Sequence, residues 1–377
     1  MIEPGATLGV VGGGQLGRMF ALRARAMGYR VAVLEPDPRS PAGAAADVHL
    51  AAAYDDPAAL AELARVADAI TIEFENVPAD ALALLARTRP VRPDSRAVAI
   101  AQERIAEKRH IMDAGFRTAP FRAVRTAQEL ARAVAVVGTP ALLKTARLGY
   151  DGKGQVPVQS REDAAAAWRS LGEVPCVLEQ RLALELEISV VLARGTDGRV
   201  AAFPPGENRH RNGILETTVV PARIPPALAI RAQELATAVA RSLDYVGVMG
   251  VELFVADGGQ LYVNEIAPRP HNSGHYTIDA CAVDQFEQQV RALCEAPLGT
   301  PELLSPVAMV NLLGDLWAGG TPAWERALAF PGVRLHLYGK AQPRPGRKMG
   351  HINCLAASPE LALETALAAR DALTRQR

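Results

Sequence analysis

A glycine-rich turn between an apolar strand and a helix constrains the fold of this chain more than any other feature of its sequence. The turn, Gly12 to Gly17, lies within an alternation of predicted strands and helices at residues 6–11, 18–27, 30–34, 57–66 and 69–73. Such βαβ alternation is typical of a parallel, doubly wound sheet. We therefore expect an α/β protein whose N-terminal domain, residues 1–103, contains that sheet and ends where Pro90 and Pro93 break the pattern.

The same turn has the spacing of a dinucleotide-binding loop, and Glu35 ends the second strand, near where an acid would contact a ribose. However, glycines and the free amides of a helix N-terminus bind any phosphate. Three interpretations therefore stay open: a nicotinamide cofactor, a phosphorylated substrate, or a tight turn without a ligand. The motif favours a phosphate more strongly than it favours a nicotinamide.

Composition excludes some classes of function. The chain has 377 residues with 49% hydrophobic content, and its 41 basic and 41 acidic residues balance. This balance argues against a general nucleic-acid binder or a polybasic membrane binder. The absence of a signal-like segment or a bilayer-length apolar run makes the cytoplasm the expected location. Four widely spaced cysteines without metal-ligand spacing are expected to be buried free thiols, namely Cys176, Cys281, Cys294 and Cys354.

The pattern changes after residue 103. Further helices and strands are predicted at residues 104–114, 141–144, 161–171, 176–180, 187–193, 226–243, 248–255 and 261–266. We expect these to form a second domain over residues 104–297, divided into a lid at about 104–178 and a metal- and nucleotide-binding half at about 179–297. A shorter mixed region with a helix at 359–374 predicts a small C-terminal domain, residues 298–377.

Two predicted strands around a Gly-Gly pair form the most informative local pattern. A two-residue hairpin loop at 258–259 would pair Asp257 with Gln260 and place Glu252 opposite Glu265. Like charges that face each other on antiparallel strands destabilise the pair. A divalent cation between them reverses that effect, and magnesium favours carboxylates together with phosphate oxygens.

A solvated pair of glutamates is the alternative to this metal site. The rigid, polar stretch that follows Glu265, residues 266–275, favours the metal. Asn264 points to the opposite face in a regular strand, so that it joins the site only if the strand contains a bulge or a twist.

Further motifs match a known family in their order along the chain. They are Lys144, the loop Gly149–Gly154, Glu179 with Glu187, and Glu252 with Asn264 and Glu265. In this order they resemble the ATP-grasp ligases. Up to about residue 355 the chain is similar to the N5-carboxyaminoimidazole ribonucleotide synthase family, in segments 12–19, 73–76, 149–155, 264–275 and 344–351.

The resemblance implies an ATP-grasp fold and the chemistry of a carbon–nitrogen ligase. ATP would phosphorylate bicarbonate to carboxyphosphate, whose carboxyl group reaches the amine of aminoimidazole ribonucleotide directly or through carbon dioxide. The expected cofactors are ATP and one or two Mg²⁺ ions, with Mn²⁺ possible as a substitute. The expected assembly is a homodimer that binds small molecules and neither nucleic acid nor membrane.

The resemblance also implies roles for individual residues. Expected ATP contacts are Arg104, Lys144, Gly149, Tyr150, Asp151, Gly152, Lys153, Gly154, Gln155, Glu179, Gln180, Arg181, Leu182, Glu187, His210, Asn264 and Glu265. Expected metal ligands are Glu252, Asn264 and Glu265. Expected contacts to the substrate ribonucleotide are Gln15, Leu16, Glu73, Lys340, Arg347 and Lys348. Expected catalytic residues are His271, Asn272, His275 and Lys348, although a hydrogen-bonded loop scaffold is an equal alternative for Asn272 and His275.

The chain contains only five lysines, and four of them, Lys144, Lys153, Lys340 and Lys348, fall in these anion-binding segments. A lysine ammonium is a compact charge suited to phosphate. Lys108 has no such role, and we expect it on a solvated helix face one turn from Arg104.

Other functions remain as alternatives at this point. A formate-using purine transformylase or a biotin-carboxylase-like ligase would share the ATP site, but residues 344–351 and the lack of a biotin-carrier lysine motif argue against both. A NAD-dependent dehydrogenase would leave Lys144, Glu252 and Glu265 without a function. A non-catalytic nucleotide-binding regulator would not need both metal carboxylates.

Overall fold

The computed structural model describes residues 1–149 and 152–374, and its N-terminal part contains a parallel four-stranded sheet. The elements of this part are β1 (Thr7–Val11), α1 (Gln15–Ala26), β2 (Arg30–Leu34), β3 (Val48–Leu50), α2 (Pro57–Val66), β4 (Ala69–Ile72) and α3 (Ala79–Leu85). The strands lie in the order β3-β2-β1-β4, and each pair is parallel. The predicted βαβ sheet is confirmed.

Local sequence explains where these elements begin. The side chain of Asp56 accepts hydrogen bonds from the backbone N–H groups of Ala58 and Ala59, and Pro57 occupies the first helical position of α2. Both features stabilise a helix N-terminus. Apart from Thr7 and Arg30 at the first positions of β1 and β2, the residues of β1, β2 and β4 are buried, and most of them are apolar.

The next part of the chain contains a four-stranded antiparallel sheet. Its elements are α4 (Ser95–Ala101), α5 (Arg104–Asp113), β5 (Phe121–Val124), α6 (Ala127–Val137), β6 (Ala141–Thr145), β7 (Gln155–Val158), α7 (Asp163–Ser170) and β8 (Cys176–Gln180). The strand order is β5-β8-β6-β7. The helices α6 and α7 pack on this sheet through a separate core that includes Val134 and Trp168. We call the four strands β5 to β8 the lid sheet.

The rest of the chain builds a nine-stranded sheet. Its elements are β9 (Leu184–Arg194), β10 (Val200–Ala202), β11 (Gly206–Arg211), β12 (Ile214–Val220), α8 (Pro226–Ser242), β13 (Gly247–Ala256), β14 (Gln260–Ala267), α9 (Thr277–Ala280), α10 (Gln285–Leu293), β15 (Val307–Leu313), α11 (Trp324–Leu328), β16 (Val333–Leu337), β17 (Lys348–Leu355) and α12 (Pro359–Ala372). The order is β14-β13-β9-β11-β12-β15-β17-β16, with β10 paired to β9. The C-terminal strands therefore extend the same sheet as the hairpin β13–β14.

Helix α10 joins the N-terminal sheet to the nine-stranded sheet. Phe286, Val290 and Leu293 pack in the same core as β1 and α1. The side chain of Gln289 donates to Oγ1 of Thr71 at 2.7 Å and accepts from the backbone N–H of Val248 at 2.5 Å. This helix therefore packs against both sheets, and the N-terminal domain lies beside β14 at the pocket described below.

Two further features of the structure concern the cysteines and the length of the helices. The four cysteines are all described, and all are buried free thiols as expected. Among the helices of residues 1–149 and 152–374, none is long and apolar enough to cross a membrane.

Candidate active site

The hairpin β13–β14 places Glu252 opposite Glu265, as the sequence predicts, but through a different turn. The loop has three residues, because Asp257 lies in it with φ of 50°. Ala256, not Asp257, therefore pairs with Gln260. The predicted pairing of Asp257 with Gln260 is wrong, since the left-handed conformation extends one residue further than the two glycines.

A bulge at Asn264 restores the register. Leu253 pairs with Val263 and Glu252 pairs with Glu265, so that Asn264 is the extra residue. A bulge interrupts the alternation of side chains along a strand. As a result Nδ2 of Asn264 donates to Oε2 of Glu252 at 3.2 Å. Asn264 was expected to join the site only if the strand contained a bulge or a twist, and the bulge is present.

The two facing carboxylates differ in their electrostatic surroundings. Burial, and then the charge of Glu265, raise the pKa of Glu252 to about 7. Burial acts in the same direction on Glu265, but the guanidinium of Arg104, 2.8 Å from its Oε2, outweighs burial and lowers the pKa of Glu265 to about 2. The repulsion between the carboxylates is thus only partly relieved by the protein's own cations.

The donor set fits a divalent cation that also binds phosphate. Oδ1 of Asn264 is buried and has no hydrogen-bond partner among the described residues, so it is available as a ligand beside Glu252 and Glu265. In the part of the chain that the structure describes, no group of three or more His, Cys, Asp or Glu side chains is arranged to hold a metal ion. Magnesium commonly completes its octahedron with waters and substrate phosphates, which is consistent with such a sparse protein site.

Two histidines flank Glu252. Nε2 of His271 lies 3.4 Å from Oε1 of Glu252, and Nδ1 of His210 lies 2.6 Å from Oε2 of Glu187. Burial lowers the pKa of His271 to about 3, and Arg269 adds to this effect. Burial also acts to lower the pKa of His210, but the hydrogen bond to Glu187 and the charge of Glu252 raise it overall. The site therefore contains a neutral imidazole on one side and a more basic one on the other.

Lys144 and Glu179 meet in the lid sheet, where a third charged residue joins them. Nζ of Lys144 donates to Oε2 of Glu179 at 2.9 Å, and Nζ of Lys108 lies 3.1 Å from Oε1 of the same carboxylate. The expectation that Lys108 occupies a solvated helix face is wrong, because its side chain is completely buried. The helix α5 turns Lys108 inwards, on the same side as Arg104.

The glycine-rich loop expected to cover the nucleotide lies against the turn between β11 and β12. A Cβ at Gly213 would come within 2.4 Å of the Cα of Gly152, so the two backbones are in direct contact. Of the residues predicted in this loop, Tyr150 and Asp151 lie outside the described part of the chain. The contact brings the loop to the hairpin that carries His210.

A pocket opens between the N-terminal domain, the lid sheet and β14. Its lining residues are Glu75, Asn76, Ala101, Gln102, Arg104, Glu107, Ala146, Leu148, Gly149, Glu265, Ile266, Ala267, Arg269 and His271. The sequence motifs singled out neither Glu75 nor Arg269 as a site residue, although the two form an ion pair in this pocket. The sequence signal that could have identified them as site residues is their position inside the segments 73–76 and 264–275.

The N-terminal glycine turn is not arranged for a dinucleotide. The carboxylate of Glu73 accepts a hydrogen bond from the backbone N–H of Gly17 at 3.2 Å. A Cβ at Gly12 would lie 2.7 Å from Cγ of Glu73, and one at Gly13 would lie 2.2 Å from Cγ of Glu35. Two acidic side chains therefore fill the space beside the glycines, which disfavours a bound nicotinamide dinucleotide.

The C-terminal basic segment lies near this turn. Nζ of Lys340 donates to the backbone O of Lys348 at 2.8 Å, so the two lysines lie side by side. A Cβ at Gly339 would be 4.0 Å from the guanidinium of Arg18 in α1. The segment predicted to bind the substrate phosphate therefore faces the helix that begins at Gln15.

The segment after β14 contains two buried residues with different partners. His275 is completely buried, and its Nδ1 contacts Nε2 of Gln285 at 3.1 Å. Asn272 exchanges hydrogen bonds with Asn311, at 3.1 and 2.7 Å. These contacts favour the scaffold alternative for both residues, whereas His271 lines the pocket together with Ile266, Ala267 and Arg269.

Comparison with known protein families supports the fold and the chemistry of this site. Residues 5–102 match the ribonucleotide synthetase preATP-grasp domain, residues 109–286 the ATP-grasp domain, and residues 307–365 the phosphoribosylaminoimidazole carboxylase C-terminal domain. The ATP-grasp fold expected from the sequence is confirmed.

Two curated relatives carry the same name. The chain is 44% identical over 352 residues to the N5-carboxyaminoimidazole ribonucleotide synthase of Bacillus subtilis (strain 168), covering 93% of this chain and 92% of that protein. It is 46% identical over 353 residues to the enzyme of that name from Brucella melitensis biotype 1, covering 93% and 96%.

Solved structures similar to this chain carry closely similar enzyme names. An ADP complex of an N5-carboxyaminoimidazole ribonucleotide synthetase superposes with a TM-score of 0.94 at 43% identity, covering 98% of this chain and 97% of the other. A complex of the Aspergillus clavatus synthase with ADP and 5-aminoimidazole ribonucleotide superposes with a TM-score of 0.90 at 33% identity, covering 98% of both chains. This chain therefore belongs to the N5-carboxyaminoimidazole ribonucleotide synthase family of ATP-grasp ligases.

Proposed function

We propose that this chain carboxylates 5-aminoimidazole ribonucleotide to N5-carboxyaminoimidazole ribonucleotide in purine biosynthesis, using ATP and bicarbonate. The observation that carries the proposal is the pair Glu252 and Glu265, held face to face by the bulge at Asn264 and next to a pocket that also reaches the N-terminal domain. The similarity to a synthase that binds ADP and 5-aminoimidazole ribonucleotide together supports the same pair of ligands here.

The reaction has two steps. An oxygen of bicarbonate attacks the γ-phosphorus of ATP, ADP leaves, and carboxyphosphate forms. The amine of the ribonucleotide then attacks the carboxyl carbon, either of carboxyphosphate or of the carbon dioxide that it releases, and the amine loses a proton. Phosphate, ADP and the N5-carbamate are the products. Negative charge accumulates on the transferred phosphoryl group, so catalysis depends on cations placed beside it.

The nucleotide would bind between the lid sheet and the hairpin β13–β14. Arg104 and Lys144 are the proposed phosphate contacts, and Lys153 would approach with the glycine-rich loop. Glu187 and His210, joined by their 2.6 Å contact, are proposed to bind the ribose region. Further proposed contacts to the adenine come from the end of β8 and the residues after it, namely Glu179, Gln180, Arg181 and Leu182.

Magnesium is the proposed metal, as one or two ions that Mn²⁺ can replace. Glu252, Glu265 and the free Oδ1 of Asn264 would hold it. When bound, the ion neutralises charge on the ATP phosphates. Arg104, which pairs with Glu265 here, would then be able to turn its guanidinium to the phosphate.

The substrate ribonucleotide would bind where the C-terminal segment faces α1. Its 5′-phosphate would contact Lys340, Arg347, Lys348 and the amides of Gln15 and Leu16. The proposed role of Glu73 is to accept hydrogen bonds from the ribose hydroxyls.

His271 is the proposed contact to bicarbonate or to the reacting amine. Burial lowers the pKa of His271 to about 3, so the imidazole is neutral at pH 7 and can donate one hydrogen bond and accept another. Lys348 is proposed to act beside it, whereas Asn272 and His275 are proposed to support the loop.

The family also leads us to propose a cytoplasmic location and a homodimer. Analytical ultracentrifugation of the purified chain can test the dimer.

ADP release with single omissions tests the proposed reaction. Purified protein is incubated with ATP, magnesium, bicarbonate and 5-aminoimidazole ribonucleotide, and each component is left out in turn. We expect ADP formation to need all four components and to match carbamate formation one to one. ADP formation that is indifferent to the ribonucleotide and to bicarbonate would contradict the proposal.

Two further outcomes would identify a different enzyme. Formate that replaces bicarbonate would indicate a transformylase of the same fold. Tight NADH binding without any ATP hydrolysis would reject the ligase class altogether.

A further inference from the structure

Lys108 is completely buried, although the sequence motifs give it no function. Its Nζ lies 3.1 Å from Oε1 of Glu179, donates to Oγ1 of Thr118 at 3.0 Å, and donates to the backbone O of Asn264 at 3.4 Å. Helix α5 therefore brings an ammonium group to the junction of the lid sheet with the metal strand β14.

Glu179 divides its carboxylate between two lysines. Its Oε2 accepts a hydrogen bond from Nζ of Lys144 at 2.9 Å, opposite the oxygen that faces Lys108. We call Lys108, Glu179 and Lys144 the buried charge triad. Burial acts to raise the pKa of Glu179, but the charges of Lys108 and Lys144 outweigh it and lower the pKa to about 2. The carboxylate is therefore ionised at neutral pH.

The net charge of the triad decides what Lys144 can offer to an anion. Lys144 and Glu179 alone would form a neutral pair, in which the carboxylate would compete with a phosphate for the same ammonium. Burial lowers the pKa of Lys108, and its contact with the Glu179 carboxylate opposes this effect by favouring the ammonium form. As an ammonium, Lys108 adds a second positive charge, and the triad then carries one unit of excess positive charge. Charges interact much more strongly in a buried site than in water, so this excess acts directly on a neighbouring phosphate.

We propose that Lys108 is a positioning residue for the nucleotide, which occupies the Glu179 carboxylate and so leaves the charge of Lys144 available to the phosphates of ATP. This inference rests on the phosphate role proposed above for Lys144. Lys108 touches the nucleotide only through its neighbours, and its bond to the carbonyl of Asn264 links the same charge to the bulge at the metal site.

A double-mutant cycle separates this role from a purely structural one. The variants are Lys108→Met, Glu179→Gln and their combination, and the matched control is Arg109→Met, which removes one positive charge from the exposed neighbouring position of α5. Calorimetric titration with ADP and magnesium measures nucleotide affinity. Titration with 5-aminoimidazole ribonucleotide measures affinity at the other substrate site.

We expect Lys108→Met to weaken ADP binding by about tenfold or more, the factor typical of one lost charge-assisted contact. In the Glu179→Gln background the same substitution should cost less than about threefold, because no carboxylate then competes for Lys144. Ribonucleotide affinity and all affinities of Arg109→Met should stay within about twofold of the wild-type values.

Three outcomes would overturn the inference: unchanged ADP affinity in Lys108→Met, the same loss in both backgrounds, or a parallel loss of ribonucleotide affinity. If Lys108→Met does not fold, the double variant is compared with Glu179→Gln, and an additional loss above about tenfold overturns it instead. Wild-type protein that fails to bind ADP would contradict the proposed function rather than the role of Lys108.

Discussion

Glu265 has two competing partners within its own strand pair and the neighbouring helix. It faces Glu252 across the hairpin and forms an ion pair with Arg104 at 2.8 Å. The pair is partly solvated, since Arg104 and Glu265 keep 18% and 37% of their side chains exposed in the pocket, and a partly solvated ion pair contributes little to stability. The arrangement therefore serves ligand binding more than folding, since the exposed part of the carboxylate lines the pocket.

Replacement of Glu265 by alanine tests the metal site. We expect Glu265→Ala to lower kcat for ADP release by about 10²–10³-fold or more, because it removes one of the two carboxylates that are proposed to hold the cation. The melting temperature and the circular dichroism spectrum should stay close to those of the wild type. Glu234→Ala, at an exposed glutamate of α8, is the control. Retained turnover in Glu265→Ala would rule out a metal-binding role for this carboxylate.

In the hairpin β13–β14, Glu252 faces Glu265 as predicted, but through a loop that differs from the predicted one. Asp257, Gly258 and Gly259 all have positive φ, of 50°, 74° and 85°. The resulting three-residue loop shifts the register by one, and the bulge at Asn264 shifts it back before Glu265. Loop and bulge together bring the asparagine amide to Glu252, which a regular two-residue hairpin would not do.

The positive φ at Gly259 predicts that a substitution at this position lowers the stability of the protein. Gly259→Val should lower the free energy of unfolding by about 1–3 kcal/mol, because a β-branched residue is strained at a φ of 85°. Space is not the cause, since the nearest atom to a Cβ there is Nη2 of Arg231 at 3.6 Å. Urea denaturation followed by circular dichroism measures the change.

Gly319→Val is the control, because a Cβ at Gly319 would have no atom within 4 Å and the residue has no positive φ. Equal stability of the two valine variants would show that the loop does not need its left-handed backbone.

At the scale of the whole molecule, α10 couples the N-terminal sheet to the nine-stranded sheet. The apolar side of the helix lies in the N-terminal core. Gln289 bridges the two sheets through Thr71 in β4 and Val248 in β13, and it is 1% exposed. The pocket lies between the N-terminal domain and β14, which belong to the two sheets that this helix contacts.

Loss of this bridge should loosen the contact between the sheets. Gln289→Ala leaves a buried hydroxyl and a buried N–H without their partner, so we expect a loss of about 2–3 kcal/mol in stability. Hydrogen exchange should become faster in both Ala69–Ile72 and Gly247–Ala256. The matched control is Gln288→Ala, a buried glutamine that instead bonds the backbone of Gly299.

The control should destabilise the protein without faster exchange in β4. If Gln289→Ala leaves exchange in β4 unchanged, the helix does not couple the two sheets.

The sequence alone determined the elements and much of the local chemistry. Strand and helix periodicity predicted the βαβ domain, α5, α8 and the hairpin, because these depend on contacts near in sequence. The motif order also led to the ATP-grasp fold and the family. The domain boundaries and the roles of individual site residues stay predictions that the experiments above address.

Only the tertiary structure decided where side chains go when distant segments meet. Lys108 was expected on a solvated helix face because no motif gave it a role, yet packing of α5 against β8 and β14 buries it beside Glu179. The glycine turn has the spacing of a dinucleotide-binding loop, but Glu73, which follows β4, lies against its glycines. In both cases the deciding partner lies far away in the chain, so the charge or space around a residue was fixed by folding and not by its neighbours in sequence.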